Sequence, residues 1–525
     1  MINVIPKPRV VKEKEGTYAL PESVIGIKYA DSSINFRQCV ACALAKMSIV
    51  MDEPDITFWV APKLVEEQYV LKVTEGGIKV YAADYSGFFY ALVTLRQLAD
   101  KSGKVPCCEI YDKPEYSWRG VQLDESRHFF GADTVRKLLD FMAQHKLNRF
   151  HWHLTDDQGW RIEIKKYPLL TEIGSKRSGT QLHNWNCSDM DNEPHEGYYT
   201  QDEIKQILAY AKARGIEIVP EIDFPAHCSS ALASYNDLAC REMNCEVPSF
   251  FGGKVAESKG YKGWGRTLCL GKDETVQFAF DVIEEVAELF PFNYFHVGGD
   301  EAPTNEWKNC SKCQARMKAE GLKNETALQG WFTNKLNAYL KSLGKTMIGW
   351  NEVLAAKNID SDVVAQYWTP KKDGNVEKHL KKNGKVILSN HKYFYFDMLH
   401  TYCTVKGTYN FDIKNAGLSK KYADSVIGVE GENWTEWTAS EDELFFKLTN
   451  RTLALAETGW NRSKDYRDFM NRLQAHKANL DKMDINYGED WLTLEKNQKA
   501  KKKAAKKNGF SLKDFDSEYR LSMNA

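Results

Sequence analysis

The sequence predicts an α/β protein: a (β/α)8 TIM barrel preceded by a small α/β accessory domain. Three observations predict it. From Trp118 onward, eight strand-like runs alternate with helical stretches, the order of a closed parallel barrel. The residues before about 112 follow another rhythm, a hairpin signal and then a helix. The ends of the expected barrel strands, finally, almost all carry charged or aromatic side chains, which a barrel would gather at one mouth. The expected divisions are an accessory domain at 1–114, the barrel domain at 115–484 and a C-terminal extension at 485–525 with a Lys-rich segment.

In the accessory domain, residues 68–73 and 77–82 are β-type runs around a Glu-Gly-Gly turn, a hairpin. Residues 87–98 then repeat apolar side chains at helical spacing. Barrel strands are expected at 120–124, 149–154, 217–222, 294–298, 346–350, 363–367, 385–389 and 426–429. Amphipathic helices are expected between them at 134–145, 200–214, 275–289 and 326–343. The span exceeds the roughly 250 residues typical of such barrels, so some loops must be extended. The basic, low-complexity run at 496–508 reads as a solvated helix or extension rather than a nucleic-acid or membrane patch.

Composition narrows the function classes. A chain of 525 residues with 43% hydrophobic content fills a large core, and a formal net charge of -1 gives no global attraction to nucleic acid or an anionic membrane. No apolar run approaches the ~20 residues of a membrane span. The first residues lack a signal-peptide pattern, so the chain as given is expected to be cytoplasmic, or periplasmic or secreted if a leader has been removed. The 12 cysteines are thinly spread and are expected to be mostly free thiols. Cys310-Ser311-Lys312-Cys313 has zinc-knuckle spacing, but no second such pair accompanies it, so no metal is expected there. The triplet Asn433-Trp434-Thr435 lies among expected pocket residues, where a glycan would not fit.

The strongest chemical signal is Tyr294-Phe295-His296-Val297-Gly298-Gly299-Asp300-Glu301. An apolar run ends in two glycines, which permit a sharp turn and close approach, and then presents two adjacent carboxylates. Alone, such a pair would be read as capping a helix near Pro303. The other strand ends argue for more: Asp124 and Arg127, His153 and Asp156, Glu221 and Asp223, Trp350 and Glu352, Trp368, Tyr395 and Asp397, and Trp434 and Glu436. Neighbouring carboxyls in different environments supply an acid and an anion. Tryptophan faces pack on the C–H faces of a pyranose while carboxylates and arginine bind its hydroxyls, so the set suits a sugar. Trp118 and Trp331, away from strand ends, read as core.

These residues also resemble a known family. Arg119-Gly120, Leu123-Asp124 and Ser126-Arg127-His128-Phe129-Phe130; 150–161, beginning Phe150-His151-Trp152-His153; Pro225-Ala226-His227; His296 to Glu301; Gly349-Trp350-Asn351-Glu352; Tyr395-Phe396-Asp397-Met398; and Gly431-Glu432-Asn433-Trp434-Thr435-Glu436 look like the motifs of glycoside hydrolase family 20 β-N-acetylhexosaminidases. The similarity runs from about Tyr116 to Trp460, and the preceding region resembles the family's small accessory domain. The resemblance implies an exo-acting retaining enzyme in which the substrate's own 2-acetamido oxygen is the nucleophile. It assigns Glu301 as general acid/base, Asp300 as acceptor for the acetamido N–H, and Tyr395 as donor to its oxygen. Trp350, Trp368 and Trp434 would be walls, and Arg127, Glu436 and Asp397 would hold the outer hydroxyls. Asp156 and His227, with His153, would support Glu301. No cofactor or metal is implied. The partner is an oligosaccharide or glycoconjugate ending in β-linked GlcNAc or GalNAc. Asn351, where many relatives carry Asp, and Ala226, in place of Gly, depart from the pattern.

Two other classes compete. His151, His153 and His227 with Asp300 would suit a metal site of a barrel amidohydrolase, since side chains two apart on a strand share a face. No later strand end supplies a further convincing His or a bridging Lys. A non-catalytic sugar-binding relative would be expected to lack the acid, whereas Glu301 is present.

Overall fold

The computed structural model describes residues 2–488 apart from 46–47, 52, 242–245, 253–265, 371–373 and 462–463, and beyond 488 only isolated positions of the Lys-rich run. The extension expected at 485–525 therefore lies almost wholly outside the described residues.

The N-terminal unit is a seven-stranded mixed sheet in the order Val10–Ala19, Lys104–Asp112, Tyr69–Thr74, Gly77–Ala82, Ile56–Val60, Val24–Lys28 and Ser48–Val50. The expected hairpin is present, with Tyr69–Thr74 antiparallel to Gly77–Ala82. Helix Tyr85–Leu98 follows; its N-cap Asp84 accepts from the Gly87 N–H. It packs with helix Phe36–Leu44 against the sheet through Phe36, Phe58 and Phe88.

Eight parallel strands close the barrel: Trp118–Asp124, Arg149–His153, Glu217–Glu221, Tyr294–His296, Thr346–Trp350, Val364–Tyr367, Lys385–Leu388 and Val426–Gly431. All eight coincide with the expected runs to within a few residues. Helices Ala132–Gln144, Gln201–Lys212, Asp273–Leu289 and Glu325–Ser342 also form as expected. Thr200 and Glu203 make a reciprocal capping box on the second of these. The repeat weakens later, where a single 3-10 segment, Asn351–Ala355, follows the fifth strand. Helix Glu441–Trp460, which the sequence reading does not single out, backs the last and first strands. No helix among the described residues is long and apolar enough to cross a membrane.

Two layers fill the barrel. Towards the N-terminal ends of the strands, Trp118, Val219, Ile348, Val364 and Ile387 form an apolar plug. Trp118 is therefore core, and its indole N–H donates to Glu430. Towards the C-terminal ends, Asp124, His153, Glu221 and His296 lie in register across the first four strands. Alternation turns these positions inward, so the barrel puts a row of ionisable groups directly beneath its mouth.

The accessory sheet is locked to the opposite end. Arg119 of the first strand is fully buried and makes a two-pronged contact with Glu67, at 2.8 and 2.9 Å. Asn148, just before the second strand, donates to the same carboxylate. Lys146, also buried, meets Asp112 at 3.1 Å, and the Trp460 N–H donates to Asp112 as well. Removing one partner strands a charge away from water, which costs about 3–5 kcal/mol. Glu67→Ala should therefore lower the unfolding free energy obtained from denaturant titration by an amount in that range, and replacing Arg119 by Met as well should recover much of it. A loss below about 1 kcal/mol, the scale of a surface pair, would show that the interface does not rely on this contact.

Candidate active site

The Asp300–Glu301 pair is placed by an unusual turn. Gly298 and Gly299 have φ of 64° and 88°, and Glu301 itself sits at 44°. A Cβ on Gly298 would lie 1.9 Å from the Asp223 carboxylate, and one on Gly299 would lie 2.5 Å from Val353. Both glycines are thus required by conformation and by space. The Gly299 N–H donates to Asp223 Oδ1 at 3.0 Å, fixing the turn to the third-strand loop. The Asp300 side chain is 14% exposed and that of Glu301 is 42% exposed, so adjacent carboxyls meet different environments. Burial pushes Asp300 upward, with Glu301, Glu352 and Glu221 adding to the effect and His227 opposing it. Its Oδ1 is buried and has no hydrogen-bond partner among the described residues.

Beneath the pair lies Glu221, which is fully buried. Oε2 lies 2.5 Å from His153 Nδ1 and 3.0 Å from His151 Nε2, and Oε1 accepts the Trp350 indole N–H at 2.8 Å. His296 Nδ1 is 2.9 Å from Oε1. Burial alone would keep this carboxyl neutral, but His296, His153 and His151 outweigh it and hold it well below the ordinary range. The remaining nitrogen of His153 faces Asp156 Oδ2 at 3.0 Å. Both of its nitrogens are thus engaged by carboxylates, which argues against its serving as an amidohydrolase metal ligand.

Asp156 links this layer to the mouth. Its Oδ2 also meets Arg127 Nη2 at 2.8 Å, and its Oδ1 lies 3.2 Å from His227 Nδ1. Burial works against the anion, yet Arg127 and His227 hold Asp156 well below its usual range. His227 Nε2 faces both Asp300 and Glu301 at 3.8 Å. Burial opposes its charge, but Asp156, Asp157 and Asp300 keep the imidazole well above its ordinary value. A cation thus stands behind the carboxylate pair.

An aromatic arc forms the other side. Trp350 is 5.7 Å from Trp434, Trp434 is 6.3 Å from Tyr395, and Tyr395 stacks on Trp368 at 5.8 Å and 21°. The Trp368 N–H donates to Glu352 at 2.8 Å. Asn351 Oδ1 accepts from the backbone N–H groups of Trp368 and Thr369. That position needs an acceptor, which an amide supplies as an Asp would. Arg127 lies over the Trp434 ring at 5.1 Å and is held between Asp124 and Asp156. Glu436 is pushed up to about 7 by burial, with Arg127 opposing and Asp124 and Asp397 reinforcing. Asp397 also acts electrostatically on Tyr395.

Asp300, Glu301, Arg127, Asp156, His227, Trp350, Trp368, Tyr395, Asp397, Trp434 and Glu436 thus form one connected constellation. Arg127 and Glu436 interact through their charges, while the hydrogen bonds of Arg127 go to Asp124, Gln158 and Asp156. Asn433 is buried and donates to the Gln122 carbonyl, so it is a structural residue. Glu221, Asp223 and Glu352 emerge as organising groups, although the sequence marks them only as strand ends. The signal for Glu221 is a carboxylate that follows the apolar run Ile218-Val219-Pro220 at the C-terminal end of strand Glu217–Glu221, since a buried charge must be paired.

A barrel whose mouth combines a carboxylate pair with an aromatic arc defines a carbohydrate-active class. Residues 116–463 match the family described as "Glycosyl hydrolase family 20, catalytic domain", and residues 1–113 match "Glycosyl hydrolase family 20, domain 2". The chain belongs to glycosyl hydrolase family 20. It is 33% identical over 523 residues to a beta-hexosaminidase of Porphyromonas gingivalis, covering 93% of this chain and 64% of that protein's length. A structure of an exo beta-N-acetylglucosaminidase from Vibrio harveyi in complex with N-acetylglucosamine superposes with a TM-score of 0.81 at 29% identity, covering 93% of this chain and 78% of that one. A Bacteroides fragilis beta-N-acetylhexosaminidase gives 0.79 at 29% identity, covering 92% and 96%.

The turn analysis makes Gly298→Ala informative. The added methyl must displace Asp223 or the Asp300–Glu301 loop, and a shift of about 1 Å at reacting groups costs on the order of 10²-fold. The variant should remain folded by circular dichroism and lose kcat on that scale. Unchanged kcat would show that the glycine is dispensable.

Proposed function

We propose that this chain is an exo-acting, retaining β-N-acetylhexosaminidase that removes terminal non-reducing β-linked GlcNAc or GalNAc by substrate-assisted catalysis. The observation that carries the reading is Asp300: a carboxylate with one buried, unpartnered oxygen, flanked by Tyr395 and the aromatic arc, beside the exposed Glu301. An acceptor beside an apolar wall suits an acetamido group, with its N–H, its carbonyl and its methyl. The hexosaminidase names of the relatives support the same reading.

In the first step the acetamido oxygen attacks the anomeric carbon while the glycosidic C–O bond breaks and Glu301 gives its proton to the leaving oxygen. The product is a bound oxazolinium ion. Asp300 accepts the acetamido N–H, and Tyr395 donates to the acetamido oxygen. In the second step the Glu301 carboxylate takes a proton from water, and the water oxygen attacks the anomeric carbon and opens the ring. Two inversions retain configuration. Burial makes the Asp300 anion costly in the free site, and the developing oxazolinium cation relieves that cost. Its stabilisation therefore grows towards the transition state, which raises kcat. His227 and Asp156 hold the pair in place, while Arg127, Glu436 and Asp397 bind outer hydroxyls and limit cleavage to chain ends. No cofactor enters this scheme.

The direct test compares an aryl β-N-acetylglucosaminide with the corresponding β-glucoside. The second lacks the nucleophile and should be a far poorer substrate, because the effective molarity of a positioned group is lost. Similar kcat/KM values on the two would sink the mechanism. The acid limb of the kcat/KM profile tests Asp300 separately. Its carboxyl is raised to about 7 and must be ionised to act, so the rate should fall as pH drops through that value. Glu436 is raised to about 7 too, so Glu436→Gln is the control. The limb should survive in Glu436→Gln and vanish in a much slower Asp300→Asn; its persistence in the latter assigns it elsewhere.

A further inference from the structure

Away from the carboxylates, four cysteines from three separate stretches of chain converge. Cys240 follows the turn Asn236–Leu238, Cys269 precedes helix Asp273–Leu289, and Cys310 and Cys313 flank the start of helix Ser311–Ala319. Their sulfurs all lie within 4.8 Å of one another. Cys240 and Cys313 are 3.8 Å apart, and Cys269 is 3.7 Å from both Cys310 and Cys313. A disulfide would need about 2.05 Å. A tetrahedron of Zn–S bonds of about 2.3 Å has S···S edges of about 3.8 Å.

We infer that Cys240, Cys269, Cys310 and Cys313 bind one zinc ion as a closed tetrathiolate site. Four soft ligands with no carboxylate or imidazole among them select a thiophilic ion over calcium or magnesium. A full set of four protein ligands leaves no open position for a reacting water, so the site is structural. The surroundings are built for it. A Cβ on Gly271 would lie 2.2 Å from the Lys312 carbonyl carbon and 2.3 Å from the Cys313 nitrogen, so only glycine lets these two backbones meet. The Gly271 N–H also reaches the Cys269 sulfur. The Cys269 N–H donates to the Leu238 carbonyl, and Lys272 donates to the Ala239 carbonyl beside Cys240. Cys310-x-x-Cys313 has the knuckle spacing, and its two partners come singly from upstream.

The ion would join the loop after the third strand, which bears His227, to the loop after the fourth, which bears Asp300 and Glu301. The connection to the first is direct, since the Leu268 N–H, next to Cys269, donates to the carbonyl of Pro225. The zinc is thus a clamp on the loops that carry the acid and its cationic neighbour, outside the chemistry itself.

Elemental analysis of the full chain, purified without chelator and dialysed, should find about one zinc per chain. A mercurial that caps thiolates should release it in step with the reaction of four sulfurs. Growth or refolding with cobalt should give the thiolate-to-metal charge-transfer and visible bands of a tetrahedral sulfur site. Cys310→Ser with Cys313→Ser should cut bound zinc at least tenfold and lower Tm. If that variant does not fold, the wild-type metal content and cobalt spectrum decide. Folded wild-type chain with no bound transition metal overturns the inference, as does pairing of these cysteines in disulfides. Stoichiometric iron overturns the choice of ion. None of these readouts depends on hydrolytic activity.

Discussion

The site rests on one buried anion. Glu221 is withdrawn from water at the end of the third barrel strand and is surrounded by His151, His153, His296 and the Trp350 indole. A charge in that position is tolerable only if every lone pair finds a partner. The partners are consequently held in single orientations. His153 is aimed at Asp156, Asp156 at Arg127 and His227, and His227 at the carboxylate pair. Trp350 is aimed in the same way, and with it the arc towards Trp434. Both faces of the mouth, ionic and aromatic, are thereby oriented from a single carboxylate.

The barrel geometry makes that possible. Residues in register on adjacent parallel strands share a level, so Asp124, His153, Glu221 and His296 form a polar storey immediately above the apolar plug of Trp118, Val219, Ile348, Val364 and Ile387. The plug excludes water from below, which strengthens every interaction in the storey above it. The same low dielectric raises Asp300 and Glu436. At Glu221 and Asp156 the neighbouring imidazoles and guanidinium outweigh burial, whereas at Asp300 and Glu436 burial outweighs His227 and Arg127, so similar carboxyls a few ångströms apart take opposite tendencies.

Much of this was legible in the chain itself. Parallel strands buried on both faces read as short apolar runs, and here each is followed by polar or aromatic residues, so both the barrel and its mouth could be marked. Gly298 and Gly299 announced the turn at Asp300 because only glycine supplies positive φ in so little space. Features that depend on convergence were not legible. The role of Glu221 requires three histidines from two other strands, and the cysteine cluster requires Cys240 and Cys269, which stand far upstream of Cys310 and Cys313 in the sequence. The equivalence of Asn351 to an acid follows only from seeing that its oxygen merely accepts two backbone N–H bonds. Helix Glu441–Trp460 is buried along nearly its whole length after its first turn, so it lacks the polar stripe by which the other helices were recognised.

Among the described residues, the accessory sheet contributes nothing to the mouth directly. Its contacts fall on Arg119, Lys146 and Asn148, at or before the starts of the first two strands, the end of the barrel remote from the carboxylates. Those starts are also where helix Glu441–Trp460 returns, with Trp460 donating to Asp112 and Glu457 paired with the buried Arg472 and the Lys7 N–H. The chain's beginning, its accessory sheet and its last long helices therefore meet beneath the barrel and close the seam between the eighth and first strands. Stability is concentrated at the N-terminal ends of the strands and chemistry at the C-terminal ends, the separation this fold permits. The accessory unit thus holds the starts of the same two strands whose far ends, in register with one another, carry Asp124 and His153.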